Sequence, residues 1–322
     1  MRFYFSVSLA AALLLSQSGC NRHDEQAAPG QSSNHGIAVI PKGSTHDFWK
    51  SVHAGANAAG KEFGYEIYWN APELETDRER QIQIVEDFIV QKVDGLVLAP
   101  VDKDALVPAV EKLANLKIPC AIIDSAIGTD KYITFAATDN YKGGAMAAQR
   151  MGKILDGLGK VIMIKYAPGS ASTTERENGF TETLAKEFPG IEIVDAKYGM
   201  ATVESALQAT EDLLTRHPHL EGLFACNAST AVGAFQALQS QKRPEVKMVG
   251  FDAEAALIDG LRAGQIDSLV VQDPFKMGYE GVKAIAAFRK GQPVEKRIDT
   301  GVTVITRESL DEAKIKELLK TQ

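Results

Sequence analysis

Three cysteines in 322 residues leave little material for a disulfide framework. Cys20 closes a leader-like segment. Cys120 and Cys226 sit inside apolar runs, "IPCAIID" and "LFACN". The expectation is two separate buried thiols, because an unpaired buried cysteine behaves as a small hydrophobe. A basic excess is also missing. The 35 Lys and Arg face 42 Asp and Glu, for a net charge of -7, whereas a nucleic-acid binder needs a basic face to neutralise phosphates. No long block of like charge marks an interaction tail. Catalytic signatures are absent too: no G-x-S-x-G elbow, no Walker loop, and no G-x-G-x-x-G after the first apolar run. His217 and His219 flank Pro218 and read as a solvated turn. His46 and His53 lie seven apart with no third ligand of suitable type nearby, which argues against zinc. No enzyme, no cofactor and no metal site is expected.

The N-terminus opens with Arg2, an apolar stretch to Leu15, and then small residues. That is the shape of a secretory signal, too short for a comfortable membrane span. It ends at Cys20 behind Ser18 and Gly19, which resembles a bacterial lipoprotein signal. Gln17 departs from that pattern, which carries Leu there. Residues 1–19 are therefore read as a signal peptide and Cys20 as a lipidation site. Residues 20–35, rich in Gly, Pro, Ser, Asn and Gln, read as a tether. The protein is expected outside the cytoplasm, periplasmic or at the cell surface, and held to a membrane by its lipid.

From residue 36 onward, short β-rich runs alternate with stretches of helical period. Eleven such runs occur, from "GIAVIP" at 36–41 to "GVTVIT" at 301–306. The segment "DRERQIQIVEDFIVQ" puts Ile82, Val85, Phe88 and Ile89 on one helix face. Thr202 is placed as an N-cap two residues before Glu204. Strand–helix alternation predicts an α/β fold with a parallel sheet covered on both faces. Eleven strands are too many for one compact open sheet, and length alone allows about two domains at roughly 150 residues each. Two doubly wound units are expected, the second starting near "GKVIMIKYAPGS". Ligands of such sheets bind beyond the carboxyl ends of the strands. The residues found there are Lys42 to Trp49, Asp124, Asp139, Asn140, the loop 166–176, Asn227, Asp252 and Gln272.

Those residues carry a family likeness. The pieces "HDFWKSVHAGA", "IPCAIIDS", "TDNYKGGAMAA", "TTERENGF", "LFACNASTAVGAFQAL", "VGFDAEAALIDGLRAGQI" and "VVQDPFKMGYEGV" make residues 36 to about 306 resemble type I periplasmic solute-binding proteins of the ribose-binding branch. The resemblance implies two similar lobes joined by three crossovers, with the ligand cleft between them. The first lobe would be 36–138 plus 273–301 and the second 139–272 plus 302–322. It further implies a monomeric, non-enzymatic receptor that closes over a sugar or polyol and delivers it to an inner-membrane ABC permease. A sensory receptor serving a chemoreceptor or sensor kinase, or one for a furanosyl autoinducer, is the alternative. A repressor of the same core would need an N-terminal helix-turn-helix, and an export signal stands there.

Carried over position by position, the ligand contacts fall on Phe48, Trp49, Asp124, Arg176, Asn227, Asp252 and Gln272. His46 stands where the family has Asn, and Ser125 where the ribose branch has Arg. Thr174 replaces a second arginine. Ser125 cannot supply the fork of donors an arginine would, which argues against ribose itself. Lys42 resembles a lysine of the autoinducer receptors and could meet an acidic ligand. The residue types suit a sugar. Aromatic rings offer flat area to C–H faces, and carboxylate, amide and guanidinium forks match a rim of hydroxyls. Asp252→Ala or Arg176→Ala is expected to abolish binding with the fold intact.

Overall fold

The computed structural model describes Met1, residues 36–44 and residues 46–320. The expected signal peptide, Cys20 and the tether lie outside the described residues. The described residues from 36 onward form β1 (Gly36–Ile40), α1 (Asp47–Phe63), β2 (Glu66–Trp69), α2 (Arg78–Gln91), β3 (Gly95–Leu98), α3 (Val107–Asn115), β4 (Cys120–Ile123) and β5 (Thr134–Ala137). The chain crosses over into α4 (Asn140–Ile154), β6 (Leu158–Lys165), α5 (Ala171–Glu187), β7 (Gly190–Tyr198), α6 (Val203–Arg216), β8 (Gly222–Ala225), α7 (Ala228–Ser240), β9 (Lys247–Phe251), α8 (Ala255–Arg262) and β10 (Ser268–Gln272). It returns through α9 (Pro274–Arg289) and β11 (Arg297–Asp299), then ends with β12 (Val302–Thr306), a 3-10 turn at Glu308–Asp311 and α10 (Ala313–Lys320).

Two six-stranded sheets result, ordered β11-β5-β4-β3-β1-β2 and β12-β10-β9-β8-β6-β7. All pairings are parallel except β10 with β12. The sheets exchange the chain three times, after β5, after β10 and between β11 and β12. Both belong to one compact unit. Strands β1, β3, β4, β8 and β10 are buried throughout, as sheets packed on both faces require. Each sheet carries an apolar cluster on either face.

All eleven β-rich runs form strands. The twelfth, β11, is only three residues long, with exposed Arg297 and Asp299, so no apolar run announces it. Thr202 caps α6 by accepting from the Ser205 amide. One helix face differs from expectation. Ile84 packs inward with Val85, Phe88 and Ile89, while Ile82 is only half-buried and Gln81 is fully buried. The Gln81 amide donates to the Pro41 and Ala99 carbonyls at 2.9 and 2.8 Å and accepts from the Val101 amide at 2.9 Å. It ties together the ends of β1 and β3, where the chain turns toward the cleft.

Cys120 and Cys226 are free and buried. Burial pushes the Cys120 thiol up to about 12. It also raises Cys226, with the Glu177 carboxylate adding to the effect. The thiolate is the reactive form, so neither residue should be alkylated by iodoacetamide in the native chain, and both should be on unfolding. Peptide mapping that found native modification at either residue would contradict the burial.

Candidate solute cleft

The carboxyl ends of the two sheets meet across a cleft with about 350 Å³ of atom-free space, open solvent at its mouth included. Its walls come from strand ends of both sheets. Asp124 follows β4 and Asp252 follows β9, the fourth strand of each unit. Both adopt left-handed backbone, with φ 59° and 70°. Their amides donate to the equivalent neighbours, Asp124 to Ala136 O and Asp252 to Val270 O. Non-glycine residues in this region are uncommon and costly, and they gather at ligand sites.

On the first sheet's side, Phe48 and Trp49 open α1. Their rings meet edge to face, with centroids 4.8 Å apart at 89°. Both line the cleft, and both also pack into the apolar cluster beneath it. The Trp49 indole N–H donates to Glu75 Oε1 at 2.7 Å, which fixes the ring. His46, at the N-cap position of α1, holds Nε2 3.6 Å from the same oxygen. Lys42 is 3% exposed. Its ammonium pairs with Asp124 Oδ2 at 2.7 Å and donates to Ser172 Oγ and Ser170 Oγ at 3.0 and 3.3 Å.

On the second side, Arg176 is 2% exposed. Its Nε donates to Asn140 Oδ1 at 2.8 Å and its Nη1 to the Cys226 carbonyl at 3.0 Å. The guanidinium lies 3.9 Å from the Phe251 ring centroid. Helix contact makes this possible. A Cβ on Gly144 of α4 would stand 2.0 Å from the Arg176 carbonyl, so only glycine lets α4 and α5 approach this closely. Asp252 accepts from the Ala228 amide at 2.9 Å and from Gln272 Nε2 at 2.7 Å. Burial raises its carboxyl above the usual range. Arg176, Gln272 and the Ala228 amide act in the opposite direction, and the Asp124 charge adds to the rise.

The structure brings nine of the ten sequence-nominated residues to the cleft wall: Lys42, His46, Phe48, Trp49, Asp124, Arg176, Asn227, Asp252 and Gln272. Asn227 and Lys42, like Arg176, carry structural duties as well. Asn227 caps α7 through Thr230 and donates to Ser229 Oγ at 3.2 Å. Lys42 has all three ammonium N–H directions directed at protein oxygens. Ser125 stands outside the lining. Its Oγ accepts from the Ser172 amide at 3.1 Å, so it joins the two halves. Asp139 is the N-cap of α4, and Thr174 bonds the Ser170 carbonyl.

Tyr166, which opens the loop 166–176 named from the sequence, lines the cleft, and so does Glu75, which was not singled out. The Tyr166 hydroxyl donates to Glu75 Oε2 at 2.5 Å across the cleft. The strand-end rule reaches Tyr166, which directly follows β6, and could have found Glu75, which lies in the loop after β2. The wall therefore holds three carboxyl groups, a lysine, an arginine and an aromatic pair. An ionised carboxylate offers about four lone-pair sites, and only part of that capacity is engaged by protein donors at Asp252. Such a wall can bind a small molecule with a C–H face and a rim of hydroxyls.

Residues 37–293 match the periplasmic binding protein domain. The D-ribose/D-allose-binding protein of Pseudomonas aeruginosa is 30% identical over 283 residues, covering 84% of this chain and 88% of that protein. A carbohydrate transporter solute-binding protein of Agrobacterium radiobacter, solved with D-arabinose, is 33% identical with a TM-score of 0.86, over 89% of this chain and 99% of its own. An ABC transporter solute-binding protein of Agrobacterium vitis, solved with D-fucose, is 36% identical with a TM-score of 0.84, over 87% and 98%. With its two mostly parallel sheets, three crossovers and polar cleft between them, the chain belongs to the periplasmic binding protein family, in its type I, ribose-binding-like branch.

Proposed function

We propose that this protein is an extracytoplasmic receptor that captures a neutral monosaccharide or related polyol by lobe closure and hands it to an ABC permease. The single observation that carries this reading is the cleft wall itself. An edge-to-face aromatic pair stands on one lobe, and a carboxylate–guanidinium–amide set stands on the other. Solute-binding relatives with bound D-arabinose and D-fucose support the sugar class. Neutrality rests on Lys42. Its ammonium is engaged by Asp124, Ser170 and Ser172, so that pair is neutral and an acidic solute would meet Glu75 and Asp252 with only the Arg176 charge to offset them. The furanosyl-autoinducer alternative loses its support for the same reason. The lobes divide near 138/139, 272/273 and 301/302, a lipid on Cys20 tethers the chain, and the receptor works as a monomer.

The test is thermal unfolding of the full chain with pentoses, hexoses, deoxysugars, inositols and uronic acids. A solute at 100 times its Kd stabilises by about 2.7 kcal/mol, roughly a few degrees at this size. A shift with at least one neutral sugar or polyol and none with uronic acids is expected. A flat panel would overturn the receptor reading, and a shift confined to uronic acids would overturn neutrality.

A further inference from the structure

We propose that Glu177, which lies behind the cleft wall rather than in it, is the positioning residue of Arg176: by taking the Tyr166 amide it keeps the Cys226 carbonyl open to the guanidinium. Strands β6 and β8 run parallel, with Val161 to Ile164 opposite Gly222 to Ala225. Cys226 N then donates to Ile164 O at 3.3 Å. Bonds of a parallel pair are evenly spaced, so the next rung would run from Tyr166 N to Cys226 O. That rung is not made. Tyr166 N donates instead to Glu177 Oε1 at 3.4 Å, and the Cys226 carbonyl accepts from Arg176 Nη1 at 3.0 Å. Two consecutive side chains of α5 thus each take one half of a backbone pair. The two strands end as a fork, with Tyr166 on one arm and Asn227 on the other, and both residues line the cleft.

Glu177 is held firmly in this place. It is buried, and its Oε2 pairs with Lys165 Nζ at 3.0 Å. Lys165 in turn donates to the Tyr198 hydroxyl at 3.1 Å. Beside the Tyr166 amide, Oε1 also takes the Cys226 thiol at 3.8 Å. Burial raises the Glu177 carboxyl above its usual range, while Lys165, the Tyr166 amide and the Cys226 thiol act in the opposite direction. Without an acceptor at 177, the buried Tyr166 N–H must be satisfied elsewhere, and the next rung offers it the Cys226 carbonyl. Closing that rung displaces Arg176 Nη1. The guanidinium then loses one of the contacts that orient it, leaving Asn140 and the Phe251 face. Glu177 does not line the cleft, so it acts on a solute only through these neighbours.

Two variants of the full chain test this. Glu177→Gln keeps an acceptor, and Glu177→Met keeps the bulk without one. In NMR titrations without solute, the Tyr166 amide proton of the wild type is expected to shift with a midpoint above the ordinary glutamate range. That shift is expected to vanish in Glu177→Gln. A Tyr166 amide that ignores pH, or that titrates alike in Glu177→Gln, would overturn the bond. In crystals of Glu177→Met, Tyr166 N is expected within hydrogen-bond distance of Cys226 O, and in Glu177→Gln the rung is expected to stay open. An open rung in Glu177→Met would overturn the positioning role. The effect on solute rests on the receptor reading. With D-arabinose or D-fucose as probe, affinity is expected to fall roughly tenfold or more in Glu177→Met and less than about threefold in Glu177→Gln, as for one lost bond to a charged group. Equal losses in the two variants, or none in Glu177→Met, would overturn the link to Arg176. If neither sugar binds the wild type, the receptor reading suffers, and the Tyr166 titration and the rung still decide the role of Glu177. If Glu177→Met does not fold, the titrations of the wild type and Glu177→Gln decide it.

Discussion

Asp252→Ala is expected to weaken binding of the solute that stabilises the wild type by roughly 10²–10⁴-fold. The carboxylate has capacity beyond its bonds to the Ala228 amide and Gln272 Nε2. Charge-assisted hydrogen bonds to two solute hydroxyls would contribute about 1.5–3 kcal/mol each, and those are lost together. Alanine also leaves the Ala228 amide and the Gln272 amide without this acceptor. The proton offers an independent check. Burial raises the Asp252 carboxyl, against the pull of Arg176, Gln272 and the Ala228 amide. An acid raised in the folded state contributes stability that is fully present below its unfolded pKa and is lost as pH rises through the folded value. Binding runs the other way, because the protonated acid is a poorer acceptor. Affinity should therefore fall on acidification through a pKa above the ordinary aspartate range, and Asp252→Asn should flatten that profile. Calorimetric titration across pH 4–8 would decide. Near-wild-type affinity in a folded Asp252→Ala would remove Asp252 from the site.

Much of this was legible in the sequence because parallel sheets announce themselves twice. Their buried strands read as uninterrupted apolar runs, and the residue that ends each run stands at the ligand face. Asp124, Asn227, Asp252 and Gln272 follow from that rule together with the family motifs. What stayed hidden depends on the partner lobe. Nothing around Glu75 in "NAPELETD" shows that Tyr166, ninety-one residues on, will meet it. Lys42 lines the cleft as its place after β1 suggests, but its bonds to Ser170 and Ser172 come from the other sheet. Ser125 likewise stands beside a binding acid in sequence, yet its hydroxyl is taken by a backbone amide. Gln81 was masked by its neighbours, since a polar residue one step from an apolar stripe is ordinarily solvated, and here it is the clamp on two strand ends.

Arg176 departs most from the expectation that its removal would spare the fold. Arg176→Ala is expected to abolish detectable solute binding and also to destabilise the empty chain by about 3–5 kcal/mol, the usual result of breaking a buried charge arrangement from one side. Three losses combine. Asn140 Oδ1 and the Cys226 carbonyl lose their donors, and the face of Phe251 loses the cation stacked on it. Asp252, buried nearby, also loses the positive charge that partly offsets its desolvation. Asn140 starts the helix just after the first crossover and donates to the Asp124 and Thr138 carbonyls. Loss of Arg176 therefore loosens the junction of the lobes as well as the wall. Lysine should not rescue. A single ammonium cannot reach both acceptors in the planar geometry of a guanidinium or stack on the ring. Denaturant unfolding of Arg176→Ala and Arg176→Lys, beside titration with the stabilising sugar, separates the two effects. A midpoint unchanged from the wild type would show that Arg176 serves the solute alone. Retained binding in Arg176→Lys would show that the charge matters and the fork does not.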